Sequence, residues 1–166
     1  MQVKTGEQNF VIVRRTQAMM LATPFLRWDW LMNSHGPGTH PVRLVVGFGG
    51  GNPQGSNRGI SPFTWLGSQL PPHDRALSVT WEDSALQRGN LLFSHNQKNV
   101  VPRYVVRGGR ENVGRWFSEF LDLSELYSSA WPNDKFGEVR VMFIGMAVAK
   151  SKKPTSALVT NVALTR

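Results

Sequence analysis

Apolar and polar residues alternate along most of this chain. In PFLRWDWLM, Leu26, Trp28, Trp30 and Met32 point one way while Phe25, Arg27, Asp29 and Leu31 point the other. A period of two is the mark of a strand with one face buried. HPVRLVVGFG repeats it, with Val42, Leu44, Val46 and Phe48 against Arg43, Val45 and Gly47. RALSVTWED sets Leu77, Val79 and Trp81 against Ala76, Ser78, Thr80 and Glu82, and VPRYVVRG sets Tyr104 and Val106 against Arg103, Val105 and Arg107. EVRVMFIGMAVA is almost wholly apolar and reads as a central strand covered on both faces. NFVIVRR predicts a first strand and ALVTNVAL a last one.

The stretch NVGRWFSEFLDLSELYSSAW, Asn112 to Trp131, admits two descriptions. Wound as a helix, Trp116, Phe120 and Leu123 share a face. Drawn out, Val113, Arg115, Phe117, Glu119 and Leu121 alternate, and Gly114 interrupts any helix. The alternation predicts an extended segment from Arg115 to Asp122, followed by a short helical crossing over LSELYSSAW with Ser124 as its N-cap. Between Gly49 and Asp74 runs a long excursion rich in Gly, Pro, Ser and Asn, a length more common in functional loops than in plain connections. AKSKKPTS is a basic turn before the last strand. The expected architecture is a single all-β domain over 1–166: an antiparallel jelly-roll β-sandwich of about eight strands with one short helical crossing. Met1 is not taken as the natural start.

Composition sharpens this picture at a few points. The chain has no cysteine, which removes disulfides, thiol catalysis and thiolate metal sites. The formal charge is +8, so polyanions enter as candidate partners. No apolar stretch reaches transmembrane length, and MQVKTGEQNF does not read as a signal peptide.

The residues also resemble a known pattern. Leu26-Arg27-Trp28-Asp29-Trp30, Arg43 through Phe48, Ala76-Leu77 through Trp81, Val105-Val106 with Gly108, Trp116, and Val139 through Ile144 follow one another in an order similar to that of a bacterial domain-of-unknown-function family found in exported proteins. The closing half, from Trp116 through the helical turn to ALVTNVAL, resembles jelly-roll carbohydrate-binding modules of the galactose-binding-like type. The resemblance covers the chain from Thr23 onward. It implies a carbohydrate-binding-like sandwich in a periplasmic or extracellular setting. Where that family carries Asp/Asn-rich residues after its penultimate strand, this chain has GMAVAKSKKPT, and where it tends to carry an acidic pair it has GPGTHP. A cation or polar site at those places is not carried over.

Chemistry is sparse. Trp28, Trp30 and Trp81 lie on apolar phases and are expected in the core; Trp65, in the excursion, is the candidate exposed platform for a sugar ring, followed by Trp131. Arg27, Asp29, Arg43, Glu82, Arg103 and Arg107, with Ser78 and Thr80, fall on outward phases. If their strands are neighbours, they form one mixed-charge patch able to hold sugar hydroxyls or carboxylates. Asp29 and Glu82 are then a candidate carboxylate pair for glycoside hydrolysis. Tyr104 lies on the opposite phase to Arg103 and Arg107, against a lyase-like set. His35 and His40 do not have metal-site spacing. GFGGGN lacks the dinucleotide fingerprint, and there is no phosphate-binding loop.

The expected function is therefore non-catalytic binding of an oligo- or polysaccharide through Arg27, Asp29, Arg43, Trp65, Glu82 and Arg103, with no cofactor and no metal. The alternatives are a polysaccharide lyase or glycosidase on the same face, and a charge-driven structural or nucleic-acid-binding domain. Nucleic acid is disfavoured because the aromatics fall on core phases rather than on an exposed platform.

Overall fold

The computed structural model describes residues 1–52, 70–93 and 101–166. Among these, ten strands form two sheets: β1 (Gln2–Lys4), β2 (Phe10–Met19), β3 (Phe25–Met32), β4 (Val42–Gly49), β5 (Arg75–Glu82), β6 (Leu91–Leu92), β7 (Arg103–Gly108), β8 (Trp116–Asp122), β9 (Arg140–Val148) and β10 (Ser156–Thr165). The four-stranded sheet runs β1-β10-β3-β8 and the six-stranded sheet β2-β9-β4-β5-β7-β6. Setting aside β6 and β7, the chain changes sheet at every step but the one from β4 to β5, which is the winding of a jelly roll. The first four strands of each sheet make up that motif. It therefore includes β1, which the sequence pattern did not show, while β7 and β6 extend one edge.

Every pairing is antiparallel except β5 with β7, which is parallel. That pairing departs from the all-antiparallel expectation. Its register slips between Thr80 and Trp81, so that Trp81 faces Arg107. The bulge turns Arg107 inward, away from the outward phase that strict alternation assigns to it.

The inner faces meet over a core that includes Leu26, Trp28, Trp30, Leu44, Val46, Phe48, Leu77, Val79, Trp81, Val141 and Met146. Trp28 meets Trp30 edge-on at 5.4 Å, and Trp30 meets Trp81 across the two sheets at 6.1 Å. All three indoles are buried, as their phases predict. Beneath them lies a polar tie. Glu119 on β8 points inward and is 5% exposed. Arg107 Nε donates to its Oε1 at 2.6 Å and Nη2 to its Oε2 at 3.2 Å, while Trp30 Nε1 donates to Oε1 at 3.2 Å. The Arg107 guanidinium also lies 3.9 Å over the Phe117 ring.

β8 runs straight into α1 (Leu123–Ala130). Its cap is Asp122, not Ser124: the Asp122 carboxylate accepts from the backbone N–H groups of Ser124 at 2.9 Å and Glu125 at 3.1 Å. Leu123 and Tyr127 plug one end of the core. The Tyr127 hydroxyl donates to Asp134 at 2.7 Å, and Arg75 holds the same carboxylate through two bonds. The two stems of the long excursion are laced together, since Asp74 Oδ2 accepts from Gly50 N–H at 3.0 Å and Asn52 N–H at 3.3 Å.

The six-stranded sheet is covered on its outer side too. Val45, Ala76, Phe143 and Ala147 face away from the sandwich, yet they are buried in a second cluster with Val11, Val13, Leu70 and Val101. Gly47 sits opposite Phe143, and a Cβ there would lie 2.1 Å from that ring. Ser78, Thr80 and Glu82, expected on a solvated face, are likewise buried.

Two outcomes follow. Replacing Glu119 by Ala strands the Arg107 charge between the sheets, and should lower the denaturant-unfolding free energy by roughly 3–5 kcal/mol. The same change at exposed Glu125 should stay within about 0.5 kcal/mol. The second concerns His40, which is buried, accepts from Val42 N–H through Nδ1 at 3.0 Å and turns Nε2 to the Asn33 carbonyl at 3.3 Å. Burial first, and His35 second, push its pKa down to about 4 from 6.5. The unfolded chain therefore takes up a proton below pH 6.5 that the folded chain refuses. Stability should be full above pH 6.5 and fall by about 3 kcal/mol as pH drops to about 4. His40→Asn should flatten that part of the stability–pH curve.

Candidate functional site

The outer face of the four-stranded sheet carries the side chains left without cover. The registers of β10, β3 and β8 line them up in four rows: Leu158, Leu31, Trp116; Thr160, Asp29, Ser118; Ala163, Arg27, Phe120; and Thr165, Phe25, Asp122. Trp116 is 52% exposed and Phe120 61% exposed, unusual for large aromatics on a sheet. They stand four residues apart on one strand, about 13 Å at the ordinary strand rise. Phe25 stacks on Phe120 with centroids 4.9 Å apart and ring planes 27° from parallel.

Between these aromatics lies Asp29. Asn161 Nδ2 donates to its Oδ2, and the Ser118 hydroxyl bonds it from the other side. These two hydrogen bonds, and then the charge of Arg27, hold the Asp29 carboxyl below the usual aspartate range, so it is an anion at neutral pH. Asn161 reaches it because β10 bulges between Thr160 and Ala163 and Asn161 adopts φ 53° there. Asparagine tolerates this left-handed conformation better than most side chains. Arg27 is exposed and has no hydrogen-bond or ion-pair partner among the described residues. Together with Val162 and Ala163, these groups line a shallow groove of about 610 Å³. A second groove of about 350 Å³ follows on the other side of Phe120, toward Tyr104, Glu125 and Leu126.

The six residues expected to form one patch are divided. Arg27 and Asp29 lie on this open face. Arg43, Glu82 and Arg103 lie together on the outer side of the opposite sheet, where Glu82 accepts from Thr39 and Thr80 and Arg103 Nη1 stands 3.7 Å from it. Trp65 lies outside the described residues. The condition for a single patch, that β3 neighbour β4 and β5, is not met, because β3 pairs with β10 and β8. Asp29 and Glu82 are thereby on opposite sides of the sandwich and form no carboxylate pair. Trp131 is no platform either. It packs on Phe48 and Tyr127, with Arg75 over its ring at 5.6 Å.

Trp116 and Phe120 are the residues that sequence reasoning missed. The signal was present in the second phase of the alternating segment, Trp116-Ser118-Phe120-Asp122, but the phase containing Glu119 had no visible reason to be the inner one. Among the described residues, no group of three or more His, Asp or Glu is placed to hold a metal ion, and no helix is long and apolar enough to cross a membrane. A scan against protein-family models finds no match to this chain, and a search of curated proteins finds no significant relative.

Replacing Asn161 by Ala removes the amide donor. The Asp29 titration midpoint, followed by carboxyl-carbon NMR, should then rise toward the ordinary aspartate value. An unchanged midpoint would show that the Asn161 bond does not hold the charge.

Proposed function

We propose that this protein binds an oligo- or polysaccharide, without acting on it chemically, through the open face of its four-stranded sheet. The observation that carries the reading is the pair of exposed rings, Trp116 and Phe120, flanking a hydrogen-bonded, ionised Asp29. Sugar rings present C–H faces that pack on aromatic faces and hydroxyls that donate to carboxylates. A fixed anion between two hydrophobic platforms offers both at once. Arg27 adds donors along the same groove. Phe120 lies between two consecutive grooves, which favours an extended chain over a single sugar unit.

Hydrolysis is disfavoured by spacing. The other carboxylate of this face, Asp122, pairs with Phe25, four positions along β3 from Asp29. That is about 13 Å along the strand, beyond the roughly 5–9.5 Å of glycosidase carboxylates. A polyanion is disfavoured because the face carries Asp29 and Asp122 against Arg27. The exposed cations Arg14, Arg15, Lys150, Lys152 and Lys153 lie on β2 and in the β9–β10 turn. Resemblance to an exported bacterial family suits a periplasmic or extracellular setting for such a module.

A glycan array followed by calorimetry at low and moderate salt tests this. Binding to neutral glycans should persist with salt, and Trp116→Ala and Phe120→Ala should each weaken it about tenfold. Both rings are exposed, so melting temperatures should barely change. Binding confined to polyanions and abolished by salt would sink the proposal in favour of a charge-driven partner. Self-association through the aromatic face with no glycan bound would make that face a protein interface instead.

A further inference from the structure

Arg43 is in an unusual position for an arginine. It stands on the outer side of β4 opposite the small Ala147, and its Nε is buried with no hydrogen-bond partner. No ion pair or hydrogen bond reaches its guanidinium from any described residue. The carboxylate of this cluster, Glu82, is already engaged by Thr39 Oγ1 at 2.8 and 2.7 Å, by Thr80 Oγ1 at 3.2 Å and by Arg103 Nη1 at 3.7 Å. Arg103 adds a second positive charge beside Arg43. Burial and that neighbour both weigh against the Arg43 charge and lower its pKa, with Glu82 opposing them. On the same face Ser78, which pairs with Val45 on β4 and Arg103 on β7, buries a hydroxyl that also lacks a partner.

No described carboxylate forms an ion pair with Arg43. The sequence of 53–69 contains no Asp or Glu, nor does that of 94–100, whereas they contribute Arg58 and Lys98. Two guanidinium groups thus share one carboxylate that is already occupied. A largely buried, unpaired cation is costly unless something outside the chain neutralises it. A guanidinium fork matches two oxygens of one oxyanion, and a neighbouring fork and hydroxyl add donors.

We infer that Arg43 and Arg103, with the Ser78 hydroxyl, form a binding site for a small oxyanion, the carboxylate or phosphate group of a ligand, on the six-stranded sheet. The site is independent of the aromatic face on the opposite sheet, and Trp116→Ala should leave it intact.

The test titrates the full chain with sodium phosphate and, separately, with sodium acetate, at an ionic strength held constant with sodium chloride. The readouts are the melting temperature and the Arg43 Nε–Hε resonance. At least one of the two anions should raise the melting temperature beyond the chloride control and shift that resonance, and which one does so separates phosphate from carboxylate. Arg43→Met should melt no lower than the parent without anion, because it removes an unpaired buried charge, and should lose the response by roughly tenfold or more. Arg103→Gln, a milder change at a more open position, should weaken the response to a similar degree. The site is refuted if neither anion acts beyond chloride, if both variants respond as the parent does, or if Arg43→Met melts markedly lower in a chain whose parent shows no anion response.

Discussion

The Arg107–Glu119 pair, seated under Trp30 and against Phe117, is the contact on which the rest of the arrangement depends. Buried ion pairs seldom add much net stability, because two charges must leave water. They do penalise every arrangement in which they are broken. Here the penalty falls on register. With Glu119 held inside, Phe117 and Leu121 enter the sandwich beside it, and Trp116, Ser118, Phe120 and Asp122 must face out. A slip of one residue in β8 would bury Trp116 and Phe120 and leave Arg107 without its carboxylate. The exposed aromatic platform is thus the outward consequence of an inward charge pair, and the bulge in β7 is the local distortion that brings Arg107 to it.

The two outer faces of the sandwich have similar alternation but opposite fates. On the four-stranded sheet the outward side chains remain open, and their polar groups organise one another, as Asn161 and Ser118 do for Asp29. On the six-stranded sheet the outward residues Val45, Ala76, Phe143 and Ala147 are covered, and the polar residues among them are drawn into low-dielectric surroundings. Charge has different consequences in the two places. An exposed arginine such as Arg27 is free to meet a ligand at little cost, whereas the part-buried Arg43 is electrostatically uncomfortable until something meets it. A neutral glycan on one face and an oxyanion on the other are the ligands proposed for these two settings.

What the sequence determined by itself is local and periodic. The positions of eight of the ten described strands (all but β1 and β6), the inward Trp28, Trp30 and Trp81, the apolar central strand β9 and the helical crossing after Asp122 all follow from a two-residue or 3.6-residue rhythm, which depends on neighbours in the chain. Only the tertiary structure decided which strands lie side by side. Gln2 pairs with Leu158, and Phe25 with Asp122, across most of the chain's length, and no local rhythm encodes such partners. For that reason Arg27 and Asp29 could not be separated from Arg43, Glu82 and Arg103 beforehand, nor the parallel β7 distinguished from an antiparallel neighbour. The inward place of Glu119 was hidden for the same cause. A carboxylate is buried only where a cation and a donor await it, and those are supplied by Arg107 and Trp30 from two other strands.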